Sequence, residues 1–137
     1  MIIFYRGLHC PVCSFFLKQV DTQLLDYKKS NTEVIAISMD NKDKAQKAKS
    51  SWSIDNLNIA HGLKEENARE WGLYISKSIK EAESDIFCEP GLFIIKNDGT
   101  LYLANTSNMP WARPDVGDLP AKLIFAQDNS YPVRGNH

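Results

Sequence analysis

Cysteine is scarce in this chain, with three in 137 residues, too few for a disulfide scaffold. The fold must therefore rest on an apolar core, and an odd thiol count in a reducing compartment leaves reactivity or simple burial as the uses of these cysteines. No stretch approaches the roughly 20 apolar residues that a membrane span needs. The start, MIIFYRG, lacks the charged, apolar and cleavage regions of a secretory signal. The expectation is a cytoplasmic protein with no membrane partner. Sixteen Lys and Arg against 17 Asp and Glu leave a net charge of −1, so there is no global field to attract nucleic acid. No repeat, low-complexity segment or linker interrupts the sequence, and its length suits one domain over residues 1–137.

Apolar periodicity divides what is present into elements. Ile2 to Tyr5 reads as a short buried strand, followed by a loop at Arg6-Gly7-Leu8-His9. Pro11 then opens a helix that runs to about Lys29, with Phe16, Val20, Leu24 and Tyr27 along one face. Val34 to Ile37 is apolar without alternation, as in a parallel strand covered on both sides. Helices follow from Lys42 to about Ser51, capped by Asp40-Asn41, and from Glu65 to Trp71, stopped by Gly72. Ser76 to Asp85 is polar and reads as a loop. Leu92–Ile95 and Leu101–Leu103 flank Asp98-Gly99, a strong hairpin signal, and Asp118 with Pro120 opens a last helix through about Gln127. The result is an α/β chain of order β-α-β-α-α-β-β-α with a central mixed sheet flanked by helices.

Chemistry concentrates in FYRGLHCPVCSFF, residues 4–16, where Cys10 and Cys13 stand at the start of the first helix. Residues three apart on a helix bring their Cβ atoms to about 5–6 Å, close to the 3.5–4.5 Å of a disulfide. The pair is therefore able to bridge and reopen. A metal site wants four ligands, usually with a second close pair, whereas the rest of the chain offers only Cys88, His61 and His137. Redox use, metal or cluster ligation and inert burial are the three readings, and the strand–helix–strand context favours redox. A cysteine at a helix N-terminus is acidified, which makes Cys10 the expected nucleophile. Lowering its pKa from about 8.5 toward 7 takes roughly 2 kcal/mol, and the helix end gives about 0.3–1. Nearby positive charge must supply the remainder, with Arg6 the first local candidate and His9 the second. Further along, Met109, Trp111 and Arg113 of MPWARP read either as a groove wall carrying one charge, suited to a bound ligand or polypeptide, or as core packing with an ion pair.

FYRGLHCPVC, WGLYIS, EPGLFIIKNDGTLY and MPWARP together resemble the peroxiredoxin-like branch of the alkyl hydroperoxide reductase/thiol-specific antioxidant (AhpC/TSA) family, within the thioredoxin superfamily. The resemblance implies a thioredoxin-like fold. Members usually carry an additional N-terminal segment, so the chain is expected to be a minimal or a truncated version. By the same resemblance Pro90 matches the cis proline that faces the cysteine pair. That would bring Glu89 close enough to take the Cys13 proton, with Cys88 a second resolving thiol or a small buried hydrophobe. The sequence also departs from the family. Gly7, Ile3 and Pro90 stand where peroxiredoxins carry a threonine or serine, a proline and an arginine that orient the peroxide. Phe4 replaces the buried aspartate of thioredoxin. The expectation is a thiol-disulfide oxidoreductase in which Cys10 attacks and Cys13 resolves, better at disulfide exchange than at reducing hydroperoxides. It would need no cofactor beyond the pair itself, and an external thioredoxin- or glutathione-like thiol would reduce it. A hydroperoxide-reducing peroxidase and a non-catalytic metal-binding or interaction module are the alternatives.

Overall fold

The computed structural model describes residues 1–136. In chain order the elements are β1 (Ile2–Phe4), α1 (Pro11–Thr22), α2 (Leu24–Lys29), β2 (Ile35–Ile37), α3 (Lys42–Ser51), β3 (Asn58–Ala60), α4 (Glu65–Glu70), β4 (Ile75–Lys77), β5 (Ile86–Cys88), β6 (Gly91–Ile95), β7 (Leu101–Thr106) and α5 (Leu119–Asp128). Five strands form a mixed sheet in the order β3-β2-β1-β6-β7. β1 lies at its centre, parallel to β2 and antiparallel to β6. The predicted architecture is therefore the observed one, and the chain leaves the central strand directly into the cysteine loop.

Alternation along β1 builds the core on both sheet faces. Ile3 and Tyr5 join Leu17 and Val20 of α1, Val116, Leu119 and both Cys10 and Cys13 in one cluster. Phe4 points the other way, to Phe93, Ala68, Leu73 and Cys88, with Trp71 packed at its edge 5.3 Å from the Phe4 ring. Cys88 is thus buried on the opposite face from the pair, as the small buried hydrophobe of the two readings, its Sγ 3.5 Å from the Tyr5 carbonyl.

Three elements differ from the sequence expectation. The first helix breaks at Gln23, whose backbone (φ −107°, ψ 8°) is not helical, so α1 and α2 are separate. β3 is an additional edge strand, paired in parallel with β2. The polar segment taken as a loop is bounded by a hairpin, with β4 antiparallel to β5 in a small second sheet. Main-chain pairing decides these short strands, and their sequences carry no apolar alternation to announce it.

Pro90 requires a correction. Every peptide bond among the described residues is trans. The chain runs extended from β5 through Glu89 and Pro90 into β6, with the Glu89 amide donating to the Tyr74 carbonyl at 2.8 Å and the Pro90 carbonyl accepting from Ser107 at 3.0 Å. No tight reversal is made there, so the ordinary trans preference of about 0.5–1 kcal/mol holds. Proline sits at the start of a strand, where its missing N–H costs nothing.

Candidate active site

The loop before α1 is held from below by Asp40, whose Oδ2 accepts the Leu8 amide at 2.7 Å and whose Oδ1 accepts the Ser84 hydroxyl at 3.3 Å. Gly7 has φ +127°, and a Cβ there would lie 2.7 Å from the same Oδ2. No side chain fits, which explains glycine where the peroxiredoxin pattern has threonine or serine. The loop closes with the Cys10 amide donating to the Gly7 carbonyl at 3.1 Å. Cys10 is then the N-cap of α1, its Sγ accepting the Cys13 amide at 3.2 Å, with Pro11 in the first turn. Cys10 and Cys13 are free thiols, 2% and 0% exposed.

The positive charge on the pair comes from Arg113, not from its neighbours in sequence. Arg113 Nη2 lies 2.9 Å from Cys13 Sγ, and the guanidinium rests on the Phe16 ring at 4.7 Å. Its Nε and Nη1 are buried without a hydrogen-bond partner. Burial by itself pushes the Cys13 thiol up, but the hydrogen bond from the Cys10 side chain and the Arg113 charge outweigh it and bring Cys13 down to about 6. Cys10 moves the opposite way, because its proton is engaged by Cys13 and burial disfavours a second charge. The pair therefore loses one proton easily and keeps the other. The Arg113 contact favours the anion on Cys13, whereas the expectation from the sequence puts the acidic thiol at Cys10.

Arg6 is committed elsewhere. It lies 3.8 Å from Glu83 and 3.4 Å from Glu89 and stacks over the Phe87 ring at 4.6 Å. Glu89 is buried, and its Oε1 accepts the Ser76 hydroxyl at 2.6 Å. Its polar contacts are Ser76 and Arg6, not a cysteine, and the trans bond at Pro90 removes the geometry that was to aim it at Cys13. His9 packs its ring 4.7 Å from Phe87. Burial, then the Arg6 charge, lowers its pKa, so it is a neutral wall at neutral pH. Arg6, His9 and Glu89 thereby fasten the β4–β5 hairpin to the cysteine loop. Among the described residues no three His, Cys, Asp or Glu side chains gather as metal ligands. His137 lies outside them.

A cleft of about 520 Å³ is lined by Tyr74, Asn105, Asn108, Trp111 and Arg113 among others, and Arg113 is the lining residue that touches Cys13. Trp111 is 71% exposed, so it forms rim, not core. Pro90, Phe16 and Arg113 share a narrower crevice adjoining it. Of MPWARP, Trp111 and Arg113 line this cleft and Met109 does not; the contact of Arg113 with Cys13 is not legible in the sequence because the two are 100 residues apart. Among the described residues no helix is long and apolar enough to cross a membrane.

No protein with a curated description matches the chain. Among solved structures, a cysteine-to-serine mutant of Peroxiredoxin 6 of Arenicola marina superposes with a TM-score of 0.73 at 18% identity, over 95% of this chain and 61% of that one. A peroxiredoxin-like protein from Aquifex aeolicus gives 0.70 at 20%, over 89% and 68%. Reduced Prx3 from Vibrio vulnificus gives 0.74 at 12%, over 89% and 78%. The chain thus spans about three fifths of the length of the Arenicola protein, and at these identities the likeness is one of fold. The AhpC/TSA family profile matches residues 1–104, taking in the cysteine loop, the β4–β5 hairpin and the strand after Pro90. The fold and that match together make this chain a member of the AhpC/TSA family.

Proposed function

We propose that the chain is a thiol redox enzyme that reduces hydroperoxides through a Cys10–Cys13 disulfide cycle. The observation that carries this reading is the buried pair of free thiols at the start of α1 with an arginine 2.9 Å from Cys13 Sγ. Cys10 is the attacking sulfur. It caps α1, where the Cys13 amide stabilises charge arriving on it, and it holds the position that the family resemblance assigns to the peroxide-reactive cysteine. Cys13 accepts the Cys10 proton, the role once expected of Glu89. The Cys10 thiolate attacks a peroxide oxygen, forming an S–O bond and breaking O–O. The departing alkoxide takes the proton back from Cys13. Cys13, again a thiolate, attacks the Cys10 sulfenic acid and expels hydroxide. An external thiol reduces the disulfide.

The Arg113 Nε and Nη1 hydrogens offer the peroxide the donors that Gly7, Ile3 and Pro90 do not. This favours hydroperoxide over the disulfide substrates expected from sequence, because a preorganised donor is worth about 10²–10³ in rate. A second reading, exchange with a protein disulfide, is favoured by the exposed Trp111 on the cleft and Phe15 on α1 (71% and 80%). Stopped-flow oxidation of the reduced protein by an organic hydroperoxide and by a model protein disulfide separates the two. Hydroperoxide is expected to oxidise the pair far faster than it oxidises a free thiol, and faster than the disulfide does. The reverse order makes the protein an exchange enzyme.

A further inference from the structure

The mechanism leaves the fate of Arg113 open once its sulfur partner is consumed. In the reduced protein Nη2 faces Cys13 Sγ at 2.9 Å, while Nε and Nη1 are buried without partners. A guanidinium binds a carboxylate through two parallel N–H groups. Nη2 carries two hydrogens, one on the Nε/Nη2 side and one on the Nη1/Nη2 end, so the sulfur on Nη2 takes up one of these edges and supplies the cation with its polar partner. Oxidation removes that partner. A hydroperoxide ROOH takes two electrons from the thiol–thiolate pair, giving the disulfide, ROH and hydroxide, and the sulfur on Arg113 loses its charge. The half-buried guanidinium is left as a cation without a counter-ion, which is unfavourable where water is partly excluded. The Phe16 ring at 4.7 Å compensates only in part. The cleft of about 520 Å³ beside it has no carboxylate in its lining, and Asn105 and Asn108 add neutral amides. Nothing in the lining can neutralise Arg113, and an incoming anion meets no repulsion.

We infer that Arg113 makes this cleft a redox-gated site for the carboxylate of the thiol reductant: occupied while the reduced Cys13 sulfur sits on the guanidinium, and opened when the pair becomes a disulfide. The inference rests on the disulfide cycle proposed above and adds the class of reductant, a small carboxylate-bearing thiol of glutathione type. Such a molecule is drawn to the oxidised enzyme, which needs it, and released from the reduced one. Two equivalents return the electrons, leaving their own disulfide, one proton in solvent and the thiol–thiolate pair restored. By linkage, an anion that prefers the oxidised form must lower the reduction potential of the pair.

The test uses S-methylglutathione, which has the carboxylates but no free thiol, titrated into the full chain in fully oxidised and fully reduced form by calorimetry. Binding at least tenfold tighter to the oxidised protein is expected, with a fall in the reduction potential of about 30 mV at saturation for each tenfold. Arg113→Gln should erase the difference, and Arg113→Lys, which keeps the charge without the fork, should restore part of it. Equal affinity in the two states overturns the inference, as does a difference that survives Arg113→Gln. Mass spectrometry of the oxidised sample separates the layers. A disulfide with equal affinities overturns only the gated site, whereas no Cys10–Cys13 disulfide overturns the proposed function and this inference with it.

Discussion

Arg113→Gln is expected to slow oxidation of the pair by hydroperoxide about 10²–10³-fold, the effect of removing one preorganised donor. The variant loses the charge that holds the Cys13 anion, so the pH profile must move as well. In the wild type the reactive form carries one proton per pair. Its fraction is complete well above the Cys13 value of about 6 and falls as pH drops through it. Without Arg113, burial and the Cys10 hydrogen bond remain, the first raising and the second lowering the Cys13 pKa. The midpoint then shifts upward toward the ordinary thiol range near 8.5. Rate against pH, followed as loss of free thiol, reads both effects. A slower variant with an unmoved midpoint would mean that Arg113 only polarises the peroxide and does not set the charge on the pair.

Two serine variants divide the work between the sulfurs. Cys10→Ser is expected to lose peroxide-dependent oxidation by more than about 10³-fold, because the attacking atom is gone. Cys13→Ser should still attack, more slowly for want of its proton acceptor, and should stop as a sulfenic acid on Cys10 that a dimedone-type probe labels. Fast oxidation at Cys13 in the Cys10→Ser protein would put the attack on Cys13, where the resting charge lies. Cys88, buried among Phe4, Leu73 and Phe93 across the sheet, is expected to stay unlabelled in both.

How legible this site is in the sequence depends on distance along the chain. α3 occupies the predicted residues Lys42 to Ser51, with Asn41 capping it by accepting the Lys44 amide at 2.9 Å, since a cap and its helix are local. Pro11 after Cys10 marks the helix start for the same reason. Arg6 and His9 attract attention as cations beside the pair, but of the acids that occupy Arg6, Glu83 lies in the polar segment between β4 and β5 and Glu89 directly after β5. Arg113 has the opposite history. Its part in the groove is readable from MPWARP, while its contact with Cys13 depends on β7 returning the chain to the end of the sheet where α1 begins. The trans bond at Pro90 was hidden because local sequence permits both isomers, and the resemblance to thioredoxin-like folds pointed to the other one.

The central claim is that Cys10 and Cys13, and no third thiol, form one redox unit. Peptide mapping of the reduced protein after a single equivalent of hydroperoxide tests it most directly. The predicted result is one intramolecular bridge joining the peptides of Cys10 and Cys13, formed without sulfinic acid and with Cys88 still free. A bridge to Cys88, or oxidation of Cys10 that proceeds to sulfinic acid with no bridge at all, would contradict the account.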